Sequence, residues 1–425
     1  MIIRCLQAQD MPQAREIWEE AFTDKPAFVD WYFHRRFQPE EGIGIFSGSR
    51  LLCNLHLMPY QLRLRGRVFP SAYLIGLATR EEYRRQGLAK ELLTFTLRSL
   101  RERVVFFTFL MPFAIPFYTH LGWGICGQHR IYRLPPGAVF PEEETPASPG
   151  KPVGTGGEAV VEAAVTAVTG EEILQEPPVT GRETIPPKPA VIEREPAPDP
   201  AVLDRIYRHW SFSLNGCLLR KGEDWEGLLF DHFLDGGEVW FLKETGAGPT
   251  AYALIYPGTE TFLREMAYLA PAAGRRLLQH LVATTGKPLV WTAPDQALPF
   301  SLPGPEEIKP VFLGRITHLQ AALEFPLYPP GPPDAWRLRV EDPLLPENNG
   351  VFILAREGNG KIRVTPARDT EADLACTTGG LARLLSGTIS PEEARKNRLL
   401  TGGDRQVSSF LRLFPKGGLY INDYF

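Results

Sequence analysis

The stretch of this chain best suited to chemistry is Arg84-Arg85-Gln86-Gly87-Leu88-Ala89-Lys90. It lies between an apolar, β-rich run (Ala72-Tyr73-Leu74-Ile75-Gly76-Leu77-Ala78) and a segment with leucines and Phe95 at helical spacing. A strand, a basic glycine turn and a helix start present free backbone N–H groups at a positive helix end, which suits a phosphate. An ordinary strand–helix connection with surface arginines has the same spelling, and a one-glycine loop is a weak motif by itself. Metal chemistry is not expected. Five cysteines (Cys5, Cys53, Cys126, Cys217, Cys376) are scattered without CxxC or Cys/His spacing, which argues for free thiols in a reducing, cytoplasmic setting.

The elements that must position this loop read in order. A strand at 2–6 leads into a helix at 11–22, with Asp10 as its cap and Ala14, Ile17, Trp18, Ala21 and Phe22 on one face. A second helical piece is expected over 26–37. Strand-like segments follow at 44–46, 50–57 and 61–65. Beyond the loop and its helix, residues 104–110 form an apolar run that reads as a buried strand. Next come the string Phe117-Tyr118-Thr119-His120-Leu121-Gly122-Trp123 and a last strand at 129–134.

The chain has 425 residues and a formal net charge of −4, enough for two to four domains. No apolar run approaches the roughly 20 residues that span a bilayer, and the first residues turn charged too soon for a signal peptide. Neither membrane nor nucleic acid is an expected partner. Residues 138–200 hold twelve prolines, twelve acidic and four basic residues. Such a stretch buries too little apolar surface to offset its ordering entropy, so a flexible linker is expected, with a transient helix at 158–169. The remainder is then slightly basic, compatible with a polyanionic cofactor.

Residues 201–327 repeat the strand–helix–strand rhythm: an amphipathic helix with Val202, Ile206, Tyr207 and Trp210, strands at 239–243, 250–256 and 262–269, a helix at 272–284 and a strand at 288–291. At the equivalent turn, Tyr268-Leu269-Ala270-Pro271-Ala272-Ala273-Gly274-Arg275, the glycine loop is missing. An unrelated α/β domain is the other reading of this unit. Residues 328–425 read as a small sheet with helices on one face, ending in an aromatic tail.

The element order, Arg84-Arg85-Gln86-Gly87-Leu88-Ala89 and the Phe117-Tyr118…Leu121-Gly122-Trp123 string resemble the GCN5-related N-acetyltransferase (GNAT) superfamily. With a second GNAT-like unit that lacks the loop and a third that resembles the sterol-carrier-protein fold, nearly the whole chain except the linker resembles the Eis (enhanced intracellular survival) family. The fold class implied is α+β and α/β. It comprises a catalytic GNAT domain at 1–137, a linker at 138–200 that is long for the family, a degenerate GNAT-like domain at 201–327 and a sterol-carrier-like domain at 328–425.

The resemblance implies acetyl-CoA as co-substrate and a primary amine as acceptor: an aminoglycoside, a polyamine or a lysine. It also implies a homo-oligomer, trimer or hexamer. Backbone N–H groups of Gln86, Gly87, Leu88, Ala89 and Lys90 would cradle the pyrophosphate, with charge from Arg84 and Arg85. The strand edge at Leu77, Ala78 and Thr79 would polarise the thioester carbonyl. Tyr118 matches the family's general acid, and the carboxylate of Phe425 its base. Asp24, Trp31 and Asp423 are the candidates for an acidic, aromatic acceptor pocket. His34, His56 and His120 are alternative bases. A non-catalytic protein that senses CoA or holds an apolar ligand is the rival.

Overall fold

The computed structural model describes residues 1–140, 189–246, 248–296, 298–357, 360–367 and 370–423. The helix expected at 158–169 and the terminal Phe425 lie outside the described residues.

The first unit runs β1 (Ile2–Cys5), α1 (Met11–Ala21) and α2 (Pro26–Trp31), the last continuing into a π-helical turn, Tyr32–Arg36. Then come β2 (Gly42–Ser47), β3 (Arg50–Leu64), β4 (Arg67–Thr79), α3 (Leu88–Glu102), β5 (Phe107–Leu110), α4 (Ile115–Thr119) and β6 (Gly124–Leu134). Two short strands expected at 50–57 and 61–65 are one continuous β3. Pro59 does not break it, because β2 pairs the strand only up to His56 and another strand takes over at Gln61. Between those partners a missing N–H costs no ladder bond.

The second unit runs β7 (Ala190–Arg194), α5 (Pro200–Ser211), β8 (Gly216–Leu219), α6 (Gly222–Leu234), β9 (Glu238–Glu244), β10 (Gly248–Tyr256) and β11 (Thr261–Tyr268). It ends with α7 (Pro271–Thr284), β12 (Leu289–Pro294) and β13 (Glu307–Ile316). Strand β7 lies inside the stretch expected to be linker and pairs with β9 from Ala190↔Glu244 onward. At the β11–α7 turn Gly274 is a packing residue. A Cβ there would stand 2.3 Å from Cδ1 of Tyr268, so the glycine lets helix and strand approach.

The third unit holds α8 (Leu319–Glu324), β14 (Asp334–Glu341), β15 (Gly350–Arg356), β16 (Ile362–Ala367), β17 (Leu374–Thr377) and α9 (Thr378–Ser386). It closes with α10 (Pro391–Lys396), β18 (Leu400–Gly402), α11 (Asp404–Leu411) and a two-residue strand β19 (Leu419–Tyr420). Its sheet has the order β16-β15-β14-β17-β18, with β14 and β17 parallel.

The first two units share one sheet, ordered β1-β2-β3-β4-β5-β13-β6-β12-β11-β10-β9-β7. Strand β13 of the second unit is inserted between β5 and β6 of the first, antiparallel to both. Strand β19 lies between β6 and β8, parallel to each. Both units and the chain's last described segment thus meet at β6.

Candidate functional site

The loop is held between a strand that opens and a helix that is anchored. Strand β4 pairs with β5 only at Ala72↔Thr108 and Tyr73↔Phe109. Ser71 Oγ donates to Phe107 O and Thr108 Oγ1 to Ala72 O at this closed end. Beyond Tyr73 the β5 ladder stops, although β4 continues to Thr79. On the other edge the register slips, so that Gly76 and Leu77 together oppose Leu55. That is a β-bulge, which re-aims backbone groups. Gly76 carries it at φ +62°; a Cβ there would lie 2.6 Å from the Trp18 ring. Leu77, Ala78 and Thr79 therefore lie on the stretch whose β5 edge is open, Ala78 and Thr79 staying paired with β3 and the Thr79 hydroxyl donating to Cys53 Sγ.

After Thr79 comes a 3₁₀ turn, Glu81–Tyr83, and then four exposed residues, Arg84, Arg85, Gln86 and Gly87. Arg85 and Gly87 both take left-handed conformations, φ +63° and +84°. Left-handed residues at two positions of so short a loop turn its backbone sharply, the kind of turn that presents N–H groups to an anion. Leu88 buries its side chain in the core with Leu92, Leu93, Leu97 and Leu100. It therefore offers an anion only its backbone N–H, as do half-buried Ala89 and exposed Lys90. The two arginines differ. Arg84 Nε donates to Thr79 O at 3.1 Å and its guanidinium lies 3.8 Å from Glu20. Arg85 has no ion pair among the described residues. The exposed loop, its donors and the open space around Gly87, where a Cβ would meet nothing within 4 Å, fit a pyrophosphate.

Tyr118 sits on the five-residue helix α4, 3 % exposed, edge-on to Phe113, Phe117 and Trp123. It belongs to the apolar cluster of Leu74, Leu88, Leu92 and Leu110, side chains of the strands and helix that frame the opening. Burial pushes its phenol above the ordinary range, and its hydroxyl has no hydrogen-bond partner among the described residues. A cleft of about 720 Å³ opens between residues 119–125 and the third unit, lined by Arg339 and Arg383; none of its wall comes from β4 or the loop.

On the other face of the sheet, Asp24 accepts from Trp18 Nε1 at 2.8 Å. Trp31 stacks on Phe230 of α6, centroids 5.1 Å apart and planes at 20°. Asp231 follows on that helix with its Oδ2 accepting from Arg264 Nη1 at 3.3 Å; burial raises its carboxyl, Arg264 opposing and Asp235 and Asp24 adding like charge. Asp24 and Trp31 thus face the second unit, and Phe230 and Asp231 complete an acidic, aromatic margin that sequence reasoning missed. The signal was present in the apolar spacing of Trp225, Leu228, Leu229 and His232, which marks 222–234 as a helix.

Asp423 is a correction. It was expected to meet a cationic substrate, but it is 2 % exposed and both its oxygens accept from Arg220, at 2.7 and 3.1 Å. Its carboxylate is already engaged by a guanidinium. His56 is unsuited to the role of base. It is fully buried, bonded to Tyr32 Oη and Asn54 Nδ2, and burial lowers its pKa to about 3. Exposed His34 and His120 each turn Nδ1 to a carbonyl of their own helical segment, Asp30 O and Pro116 O.

Residues 2–126 match the acetyltransferase (GNAT) domain, and residues 319–421 the sterol carrier protein domain. The chain accordingly carries an acyltransferase domain of the acetyl-CoA-dependent kind in residues 2–126. Three solved structures share the fold over its whole length. A GCN5-related N-acetyltransferase from Anabaena variabilis ATCC 29413 is 18 % identical with a TM-score of 0.75, covering 100 % of both chains. A conserved protein of unknown function from Enterococcus faecalis V583, a probable N-acyltransferase, is 19 % identical with a TM-score of 0.77, covering 100 % of this chain and 99 % of that one. Eis1 from Mycobacterium abscessus is 17 % identical with a TM-score of 0.75, covering 100 % of both. No curated protein matches the sequence.

Proposed function

We propose that this chain is an Eis-like N-acetyltransferase that moves the acetyl group of acetyl-CoA to a primary amine of an aminoglycoside-like molecule, a polyamine or a lysine. The observation that carries the reading is the strand β4 that parts from β5 after Tyr73 and runs into the loop 84–87. The opening takes the pantetheine arm, the loop and the α3 N-terminus the pyrophosphate. The neutral amine attacks the thioester carbon; the C–N bond forms and the C–S bond breaks. Backbone N–H groups at the bulge receive the oxygen's developing charge.

Tyr118 gives its proton to the departing sulfur. Burial keeps that proton on the phenol at neutral pH and makes its transfer to a thiolate uphill, so the donation depends on a thiolate desolvated in the same place. The amine's proton goes to the carboxylate of Phe425. That group is a weak base in water, and desolvation or a water relay strengthens it. Asp24, Trp31 and Phe230 receive the acceptor's cationic parts. A role in holding an apolar ligand has less support, because Trp336, Leu354, Leu381, Phe410 and Phe414 fill the third unit's core. By the same likeness the assembly is a trimer or hexamer.

The test is acetyl-CoA itself. It should raise the melting temperature of the wild type and leave Gly87→Glu unmoved, while a panel of aminoglycosides, polyamines and lysine peptides is screened for CoA release. No shift in the wild type refutes the cofactor assignment.

A further inference from the structure

The cleft of about 720 Å³ between residues 119–125 and the third unit draws no wall from β4 or the loop, and its volume suits a small molecule. Its floor lies where the first turn of α9 meets the start of β6. A Cβ on Gly124 would run into the carbonyl of Gly379, and one on Gly379 would stand 2.8 Å from the carbonyl oxygen of Trp123. Glycines thus let the two backbones touch, and Gly379 and Gly380 leave the first turn of α9 bare on the cleft side. Thr377 Oγ1 takes the N–H of Gly380 at 3.1 Å. The N–H groups of Thr378 and Gly379 have no place in the helix's own ladder.

Two guanidiniums stand in the wall. Arg383 lies one turn on from Gly379 and Gly380, on their face of the helix, and helical side chains lean back over the preceding turn. Exposed Arg339 belongs to β14. Neither has an ion pair or a side-chain hydrogen bond among the described residues. Arg383 is half-buried, its Nε has no partner, and burial draws its pKa down, with Glu393 opposing. Burying an unpaired cation is unfavourable, so its place here calls for an anion from outside the chain. Two further donors are orphaned at the same spot. Trp123, 2 % exposed, is part of the wall and its indole N–H is unpartnered. The buried Thr378 hydroxyl is unpartnered too, and a Cβ on the wall residue Gly122 would stand 3.0 Å from it.

The carboxylates of the wall do not cancel these donors. Asp342 is engaged by Arg315 and by the N–H groups of Leu344 and Leu345, both at 2.9 Å. Glu341 lies two residues on from Arg339, on the same strand face. Two guanidiniums against one free carboxylate favour a single anionic head over a polyanion such as CoA. Ile125, Pro343 and Leu399 add apolar wall.

We propose that this cleft is a second binding site, for a small molecule with one carboxylate or phosphate head on an apolar body. Arg383 and the first turn of α9 take the head, and Arg339 adds charge. The site is separate from that of acetyl-CoA and independent of how acetyl transfer proceeds.

Ligand-observed NMR titration of the full-length protein tests this, with benzoate and phenyl phosphate as probes and benzamide as the neutral control. An anion should bind, the tighter of the two naming the head group, and benzamide should not. Arg383→Gln should weaken that binding about 10- to 100-fold, the value of charge-assisted hydrogen bonds. Arg339→Gln, at an exposed position that the fold does not depend on, should weaken it by a smaller factor. Gly87→Glu should leave it unchanged. Arg383→Gln should melt no lower than the wild type, since it removes a partly buried charge that has no partner. Silence of both anions, equal binding of benzamide, or full affinity in Arg383→Gln overturns the proposal. So does loss of binding in Gly87→Glu or under saturating acetyl-CoA, which would put the probe at the cofactor loop. A lower melting temperature of Arg383→Gln also overturns it, because the arginine would then serve the fold.

Discussion

Replacing Gly76 by alanine probes the bulge where strand, aromatic cluster and acceptor margin touch. At φ +62° a side chain costs about 1–2 kcal/mol of backbone strain. The added methyl would stand 2.6 Å from Cζ3 of Trp18, 3.0 Å from its Cε3 and 3.3 Å from Nδ1 of His56. Neither neighbour yields easily. Trp18 is stacked on Tyr32 and His56 and tied through its indole N–H to Asp24, and His56 is bonded at both nitrogens. Overpacking of this sort costs about 1–3 kcal/mol, giving about 2–5 kcal/mol in all. Gly87→Ala is the internal standard. It is left-handed too, at φ +84°, but its Cβ meets nothing within 4 Å, so about 1–2 kcal/mol of backbone strain is its whole cost. Urea unfolding of both variants, read by tryptophan fluorescence, gives the two numbers. Kinetics give a second contrast, since a displaced Trp18 moves Asp24 and raises the KM of the acceptor, whereas Gly87→Ala acts on acetyl-CoA. If Gly76→Ala is no more costly than Gly87→Ala, the packing of Trp18 and His56 on the bulge is not the constraint described.

Tyr118→Phe should lower kcat by about 10²- to 10⁴-fold with the KM for acetyl-CoA unmoved. Its melting temperature should hold, because the lost hydroxyl has no bonding partner among the described residues; undiminished turnover would remove Tyr118 as the acid. Trp31→Ala should raise the KM of cationic acceptors about 2- to 10-fold, the value of one aromatic contact, and an unchanged KM would place the acceptor elsewhere. Acid should destabilise the fold through buried histidines. Burial lowers His56 to about 3 and His129 to about 4 from an ordinary 6.5. The unfolded chain then binds more protons, and stability falls as pH drops from about 6.5 towards those values, by about 2 kcal/mol per histidine at pH 5. Equal urea midpoints at pH 8 and pH 5 would contradict this.

The loop was legible because its chemistry lies in neighbouring residues: apolar strand, arginines, glycine and helix start are contiguous between Ala72 and Leu100. The acceptor margin was only half legible. Asp24 and Trp31 announce themselves by type, but Phe230 and Asp231 reach them from a helix about two hundred residues away, and Arg36 meets Asp224 in a buried pair at 3.0 Å across the same gap. Nothing in the spelling of Asp423 shows that Arg220 claims it. Strand β13 escaped notice because Lys309 and Pro310 interrupt its apolar pattern, and its place between β5 and β6 is a fact of topology that no local period encodes. Strands β8 and β19, four and two residues long, are too short to carry a signal and exist because the junction supplies their partners.

The insertion of β13 also sets an order of events during synthesis. Strands β5 and β6 leave the ribosome early, but the strand that belongs between them follows only after the whole second unit down to Ile316 has been made. Until then their facing edges are open ladders, the kind of edge on which chains pair wrongly. The first unit therefore cannot finish its sheet as it emerges; it waits for its neighbour. Strand β19 comes later still and seats only on a completed junction. A chain stalled or cut before residue 307 is left with an unfilled strand position in the half that carries the cofactor loop, and a peptide of the β13 sequence is the natural occupant of that gap.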